Sequence, residues 1–253
     1  MLNIFKMDMR RTLRSKAPYS CIAFMLLVSG TMIFFGMLPD FAAATGSSSG
    51  GAMDMTSSMM GIGMAFIMMS ILFAICISTD FSSGFAKNIF SRHTNPVRYI
   101  GGKLLSLTVI GAIAIVAHAV MSMLLFAIIG NGVVLPGGFI GLLAYLIEKI
   151  FVSGAFAALI LMVYLFARHI AISMIVGVVA ATGILSALLN ILGEYLEVSF
   201  ISKVAKYTIS GLSGQANLEF TGSVFVTIII GSVLWIAVCS ALGAKALKKK
   251  DIS

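Results

Sequence analysis

Charge is what this sequence has least of. Asp, Glu, Lys and Arg make up only 10% of its 253 residues, where an ordinary soluble domain carries about 25%. With 60% hydrophobic residues and a mean hydropathy of +1.09, a soluble globular domain is excluded. The apolar residues fall in several runs of span length, so the chain reads as a polytopic membrane protein. Its length suits one membrane domain, residues 1–253, and leaves no room for a second globular one. Histidine and cysteine are scarce as well. His93, His118 and His169 lie in different segments, and Cys21, Cys76 and Cys239 sit inside apolar runs without metal-ligand spacing. That excludes a metal site and leaves the cysteines as small buried apolar residues. No GxSxG or HExxH pattern occurs. Gly102-Lys103 is not a phosphate loop, which needs a glycine five positions earlier and Ser or Thr afterwards; Val97 and Leu104 hold those places. The chain thus offers no catalytic residue for ATP hydrolysis, no cofactor site and no paired acids for a proton relay. A net charge of +8 raises nucleic acid as a partner, but the cations sit beside apolar runs rather than on an aromatic-basic surface, which excludes it.

What is present is a sequence of spans with informative interruptions. Residues 1–16 form an interfacial amphipathic helix: Leu2, Phe5, Met9 and Leu13 share one face, and Lys6, Arg10, Arg11 and Arg14 lie around the other side. Phe5, Arg10, Arg11 and Arg14 are the expected membrane-surface anchors, attracted to anionic lipid. The basic start runs into a stretch long enough to span, so no cleavable signal peptide is expected. Pro18 separates this helix from a first span at Tyr19–Leu38, and a Gly/Ser-rich outer loop covers residues 40–58. The second span is Met59–Ser78 and the third Leu104–Ile129, whose length implies tilt or protrusion. After a turn at Gly130–Gly138 the fourth span crosses at Ile150–Ala167. The piece before Glu148-Lys149 either lies at the outer surface or extends the helix upward, and that pair marks the outer interface. Arg168-His169 is an inner turn, Ile170–Leu192 the fifth span and Val224–Leu242 the sixth. Between the last two, residues 193–221 mix charge with Leu196, Phe200, Ile201 and Val204 and read as short helices packed at the outer surface. With both termini cytoplasmic, the inner segments hold 14 of the 17 Lys and Arg residues, leaving Lys149, Lys203 and Lys206 outside.

Residues 80–98 organise the rest. Asp80 is placed to cap a short helix, Phe81, Phe85 and Ile89 recur on one face, Lys87, Asn88 and Arg92 fall elsewhere, and Asn95-Pro96 ends it. Within the spans, His118 either contacts a substrate or bonds to a neighbouring helix. Asn190 lies near the outer end of span five. The 17 methionines either form an adaptable lining or simply pack well among lipid-facing helices.

The order of parts is an interfacial helix, two spans, a basic inner segment, three spans, an outer apolar segment and a last span with a basic tail. It resembles the membrane subunit of a type-2 ABC transporter, the exporter class that includes bacterial antibiotic, bacteriocin-immunity and peptide-toxin permeases. The residues that carry the resemblance are Asp80, Gly84, Lys87-Asn88, Ile89, Arg98 and Lys103; the family more often has Glu and Gly-Thr where this chain has Asp80 and Gly84-Phe85. The resemblance implies an all-α fold with six transmembrane helices and a coupling helix after span two. That helix docks on a separate ATPase subunit, present in two copies and carrying ATP and Mg. Asp80, Phe81, Gly84, Phe85, Lys87, Asn88, Ile89 and Arg92 are then the ATPase interface. It also implies a second permease subunit, identical or homologous, in a bacterial cytoplasmic membrane. The substrate path runs between the subunits, with His118, Asn190 and Phe200 as path or gate residues and residues 193–221 as the gate. A hydrophobic or amphipathic substrate, first of all a peptide, fits this class. A stand-alone secondary transporter or channel is the alternative, and it requires broken helices or charged midplane residues in repeated positions. An intramembrane enzyme requires polar residues clustered at one interface, and only scattered ones occur.

Overall fold

The computed structural model describes residues 2–36, 64–85, 96–129 and 137–249. The Gly/Ser-rich loop, Lys87, Asn88, Ile89, Arg92 and most of the Gly130–Gly138 turn lie outside the described residues. Within them the chain forms ten helices and no strand: α1 (Leu2–Arg14), α2 (Lys16–Gly36), α3 (Met64–Ser82), α4 (Pro96–Ile129), α5 (Gly138–Ala167), α6 (Ile170–Ala181), α7 (Ile184–Tyr195), α8 (Ser199–Lys206), α9 (Ile209–Gln215) and α10 (Gly222–Lys249). Helices α3, α4, α5 and α10 are each long and apolar enough to cross a membrane. The α6–α7 pair makes a fifth if it is taken as one bent span, and α2 supplies a shorter apolar stretch, Lys16–Val28. The chain is therefore an all-α, multi-pass membrane protein.

Several boundaries differ from the sequence expectation for physical reasons. The break after α1 falls at Ser15 rather than at Pro18, which sits in the first turn of α2, where its missing N–H costs no hydrogen bond. Helix α4 starts at Pro96, eight residues before the expected Leu104, and so takes Arg98 and Lys103 into the helix. Proline's fixed φ suits a helix start, and Lys103 finds buried partners described below. Helix α5 runs unbroken through Glu148-Lys149, so the piece before that pair extends the span. Both residues are buried within the bundle. At the far end Arg168 takes the left-handed conformation, φ 54°, and donates its N–H to Tyr164 O at 2.7 Å, making the expected tight turn into α6. The fifth apolar run is bent by 50° between α6 and α7. The bend falls at Thr182-Gly183, where Gly183 has φ +74°, a conformation that costs a residue with a Cβ and breaks the helical repeat.

Helix α5 occupies the centre, in contact with α3, α4, α6, α9 and α10. Phe156 on α5 meets Phe66 of α3 edge-on at 5.5 Å, and Phe73 lies 6.4 Å from the same ring. Phe73, Phe156, Ile160 and Leu107 are all fully buried. Helix α1 packs at the end of the bundle where α3 finishes and α4 begins. Short helices α8 and α9 pack at the opposite end, where Leu218 approaches Gly137 and Gly141 at the start of α5.

Candidate functional site: a buried charge cluster joining three helices

The face of α1 that turns into the bundle is Ile4, Asp8 and Thr12, spaced by one helical turn each. Asp8 is 1% exposed and Thr12 6%, while Met7 and Leu13 remain exposed. Close approach is possible because residue 102 is glycine; a Cβ there would stand 3.0 Å from the Ile4 side chain. Phe5 and Met9 are half-buried, and Arg10 and Arg14 are exposed. Of the four expected surface anchors, Arg11 is the one that departs: its guanidinium turns inward, pairing with Asp80 and lying 3.5 Å from Asp8.

Asp80 does not start a helix. It lies within α3, two residues before that helix ends, and is completely buried. A buried carboxylate needs counter-charges more than backbone donors, and here it has two. Besides Arg11, Lys103 Nζ stands 2.9 Å from Asp80 Oδ2, and Tyr99 donates its hydroxyl to the same oxygen at 3.1 Å. Lys103, 1% exposed, also donates to Asp8 Oδ1 at 3.1 Å, to Asp8 Oδ2 at 3.2 Å and to the carbonyl of Cys76 at 3.0 Å. Ser106 donates its hydroxyl to Asp8 Oδ2. Two carboxylates and two cations thus sum to zero, and each carboxylate touches both cations. This geometry lets α1, the end of α3 and the start of α4 share one low-dielectric site.

The segment after Asp80 is anchored on the same cluster. Helix α3 ends where Gly84 takes the left-handed conformation, φ +70°, with its N–H donated to Phe81 O at 3.3 Å. That turn breaks the helical phase, so Phe81 and Phe85 do not continue one helical row as the four-residue spacing suggests. Both instead pack against the bundle core. Phe81 stacks at 5.2 Å on Tyr164 and meets Tyr99 edge-on at 6.4 Å, with the Arg168 guanidinium 4.9 Å from its ring centroid. Phe85 lies under Arg11 at 4.3 Å. The aromatic pair therefore carries the joint on to the Arg168 end of α5.

Of the three residues assigned to a path or gate, Asn190 and Phe200 stand on helices α7 and α8, which pack on each other, and His118 stands on α4. His118 is 1% exposed in the middle of α4, and its Nδ1 has no hydrogen-bond partner among the described residues, so the expected bond to a neighbouring helix is not made there. Asn190 is exposed on α7, and Phe200 is 71% exposed on α8. Sequence reasoning missed Asp8, Tyr99 and Ser106 altogether. One signal for Asp8 was available: it is the sole acid before Asp40, and it stands between Ile4 and Thr12 on a turn-spaced row.

No protein-family model matches the chain, and no curated protein matches it in sequence. What the fold and cluster define is a class: an all-α, multi-pass membrane protein whose N-terminal helix is locked to two long helices by a neutral four-charge site, three of whose members are buried and the fourth, Arg11, about one-third exposed.

Proposed function

We propose that this chain is the membrane-spanning permease subunit of an ATP-driven ABC exporter. It moves a hydrophobic or amphipathic substrate, first of all a peptide, out of a bacterial cell. The energy comes from two copies of a separate ATPase subunit carrying ATP and Mg, and a second permease subunit, identical or homologous, completes the transporter. In this reading α2 is the first of six spans, the bent α6–α7 pair is the fifth, and both termini are cytoplasmic.

One observation carries the reading. The Asp8–Arg11–Asp80–Lys103 cluster ties the end of α3 to the start of α4, the two helices that the basic segment 86–95 joins in the sequence. A subunit pressing on that segment moves a stiff three-helix joint rather than a loose loop, which is what transmission of ATP-driven movement needs. The second reading, a stand-alone secondary transporter or channel, is favoured by the break at Thr182-Gly183, since broken spans mark binding sites in such proteins. Purification of the full chain from its native membrane, followed by reconstitution into liposomes, separates the two. The exporter reading expects a stoichiometric ATPase partner and substrate movement only with hydrolysable ATP. Movement by the chain alone, driven by an ion gradient, overturns it.

A further inference from the structure

The cluster above leaves two buried ionisable residues unused, the neighbours Glu148 and Lys149 of α5. Lys149, in the middle of α5, is fully buried and forms no ion pair among the described residues. Its Nζ donates to Ser213 O at 2.7 Å and to Ser213 Oγ at 3.0 Å, and stands 5.2 Å from the Tyr145 ring centroid. Ser213 belongs to the last turn of α9. The Ser213 carbonyl accepts only a long bond, 3.4 Å, from Ala216 N–H, and carbonyls of a last helical turn carry partial negative charge, so an ammonium there is favoured. The ammonium of a long central helix thus caps a short helix at the end of the bundle opposite α1.

The other ties of the α8–α9 hairpin are neutral. Trp235 of α10 donates to Tyr207 O at 2.9 Å, Ser210 Oγ lies 3.2 Å from Ser186 Oγ on α7, and Leu212 packs on Gly231 of α10. Beside α9 lies a small cavity of about 10 Å³, walled by Phe66, Val152, Phe156 and Ala181 on one side and by Ile209, Ser210 and Ser213 of α9 on the other. Lys149 differs from the neutral ties in having two good states. Bonded to Ser213, it uses two of its three donors and has the Tyr145 ring beside it, without water. With α9 lifted, water reaches the ammonium and satisfies it instead. An intermediate with Lys149 dry and unbonded is costly.

We propose that Lys149 is a latch: its bonds to Ser213 hold α9 closed against the other wall of the cavity, and the hairpin opens as a unit when they exchange for water. Lys149 is a positioning residue in this role. The proposal rests on the packing of the chain alone, not on the exporter reading, and its test needs neither an ATPase nor a substrate. The full-length protein in lipid nanodiscs is compared with Lys149→Met by amide hydrogen exchange. In the variant the α9 amides, residues 209–215, exchange about tenfold faster or more, while amides of α4 and the second half of α5 keep their protection. Lys149→Gln, which keeps one donor for Ser213 O, shows a smaller increase confined to α9, and it serves as the test if the Met variant does not accumulate. Unchanged exchange in α9 overturns the latch. Equal acceleration throughout α4 and α5 also overturns it, because Lys149 then supports the whole bundle and not α9 in particular.

Discussion

Removing Lys103 tests the charge cluster most directly. In Lys103→Met the ammonium disappears from between two carboxylates, Asp8 at 3.1 Å and Asp80 at 2.9 Å, and the Cys76 carbonyl loses its donor at 3.0 Å. The site goes from neutral to a net charge of −1, with only the guanidinium of Arg11 left to serve both acids. Breaking a buried pair by removing one partner costs about 3–5 kcal/mol. The upper half of that range applies here, since Asp8 and Asp80 are 1% and 0% exposed and cannot turn to water. Asp8→Asn alone leaves Lys103 paired with Asp80 and costs less, about 2–3 kcal/mol, as an amide still accepts from Lys103 or Ser106. The double variant restores neutrality: Arg11 then faces Asp80 alone. Its loss falls short of the sum of the single losses by about 1–3 kcal/mol, the coupling expected of residues in one network. Reversible unfolding of the purified protein in mixed detergent micelles, followed by tryptophan fluorescence from Trp235, supplies the three values. Additivity within about 0.5 kcal/mol, the behaviour of independent sites, refutes the claim that the four charges act as one site.

Four further outcomes follow from the same geometry. Gly102→Leu drives a side chain into Ile4, already 3.0 Å from where a Cβ would stand, so α1 detaches and trypsin cleaves after Arg10 and Arg14 faster than in the parent; an unchanged digest counts against docking of α1. Gly183→Ala strains the +74° backbone by about 1 kcal/mol and reduces the 50° bend, read as a changed distance between spin labels at Ile172 and Leu188; the same distance in both proteins refutes the hinge assignment. In the exporter reading, Lys87→Glu leaves membrane levels intact but inverts a contact with the ATPase and weakens its retention, and co-purification equal to the parent removes Lys87 from the interface. A cysteine at Ser49 is labelled by an impermeant maleimide from outside the cell, and labelling only after permeabilisation reverses the proposed orientation.

Which parts of this architecture could be read from the amino acids follows from the range of the interactions involved. The long helices were legible because each needs only its own apolar composition to declare itself, and the Arg168-His169 turn because two polar residues interrupt one such run. The bend at Gly183 was not, since a glycine inside a span is common and nothing local separates a straight helix from one that turns. Asp80 shows the difficulty in its sharpest form. An acid followed by a turn-spaced aromatic pair has the local pattern of a helix cap, and the pattern is the same when the acid ends a helix and pairs with distant cations. Its partners, Arg11 and Lys103, are 69 and 23 residues away, and the Asp8–Lys103 pair spans 95 residues. No periodicity reports a contact of that range.

The same contacts alter what the charge count means. In the six-span reading with both termini cytoplasmic, counting every Lys and Arg as a free cation puts 14 on the inner side and three on the outer. Arg11 and Lys103 pair with acids in a neutral site, and Lys149 is buried against Ser213. Setting these aside leaves twelve against Lys203 and Lys206. The ratio rises from under five to six, so charges spent inside the bundle strengthen the positive-inside argument rather than weaken it. The two uses of cations are also separated in space. Exposed Arg10 and Arg14 remain available to anionic lipid on the outward side of α1, while Arg11, one position along the helix from Arg10, is committed to Asp80. One turn of helix therefore holds both the surface anchor and the structural lock. In the reading that lays α1 on the membrane surface, a change in how it sits there bears directly on the joint between α3 and α4.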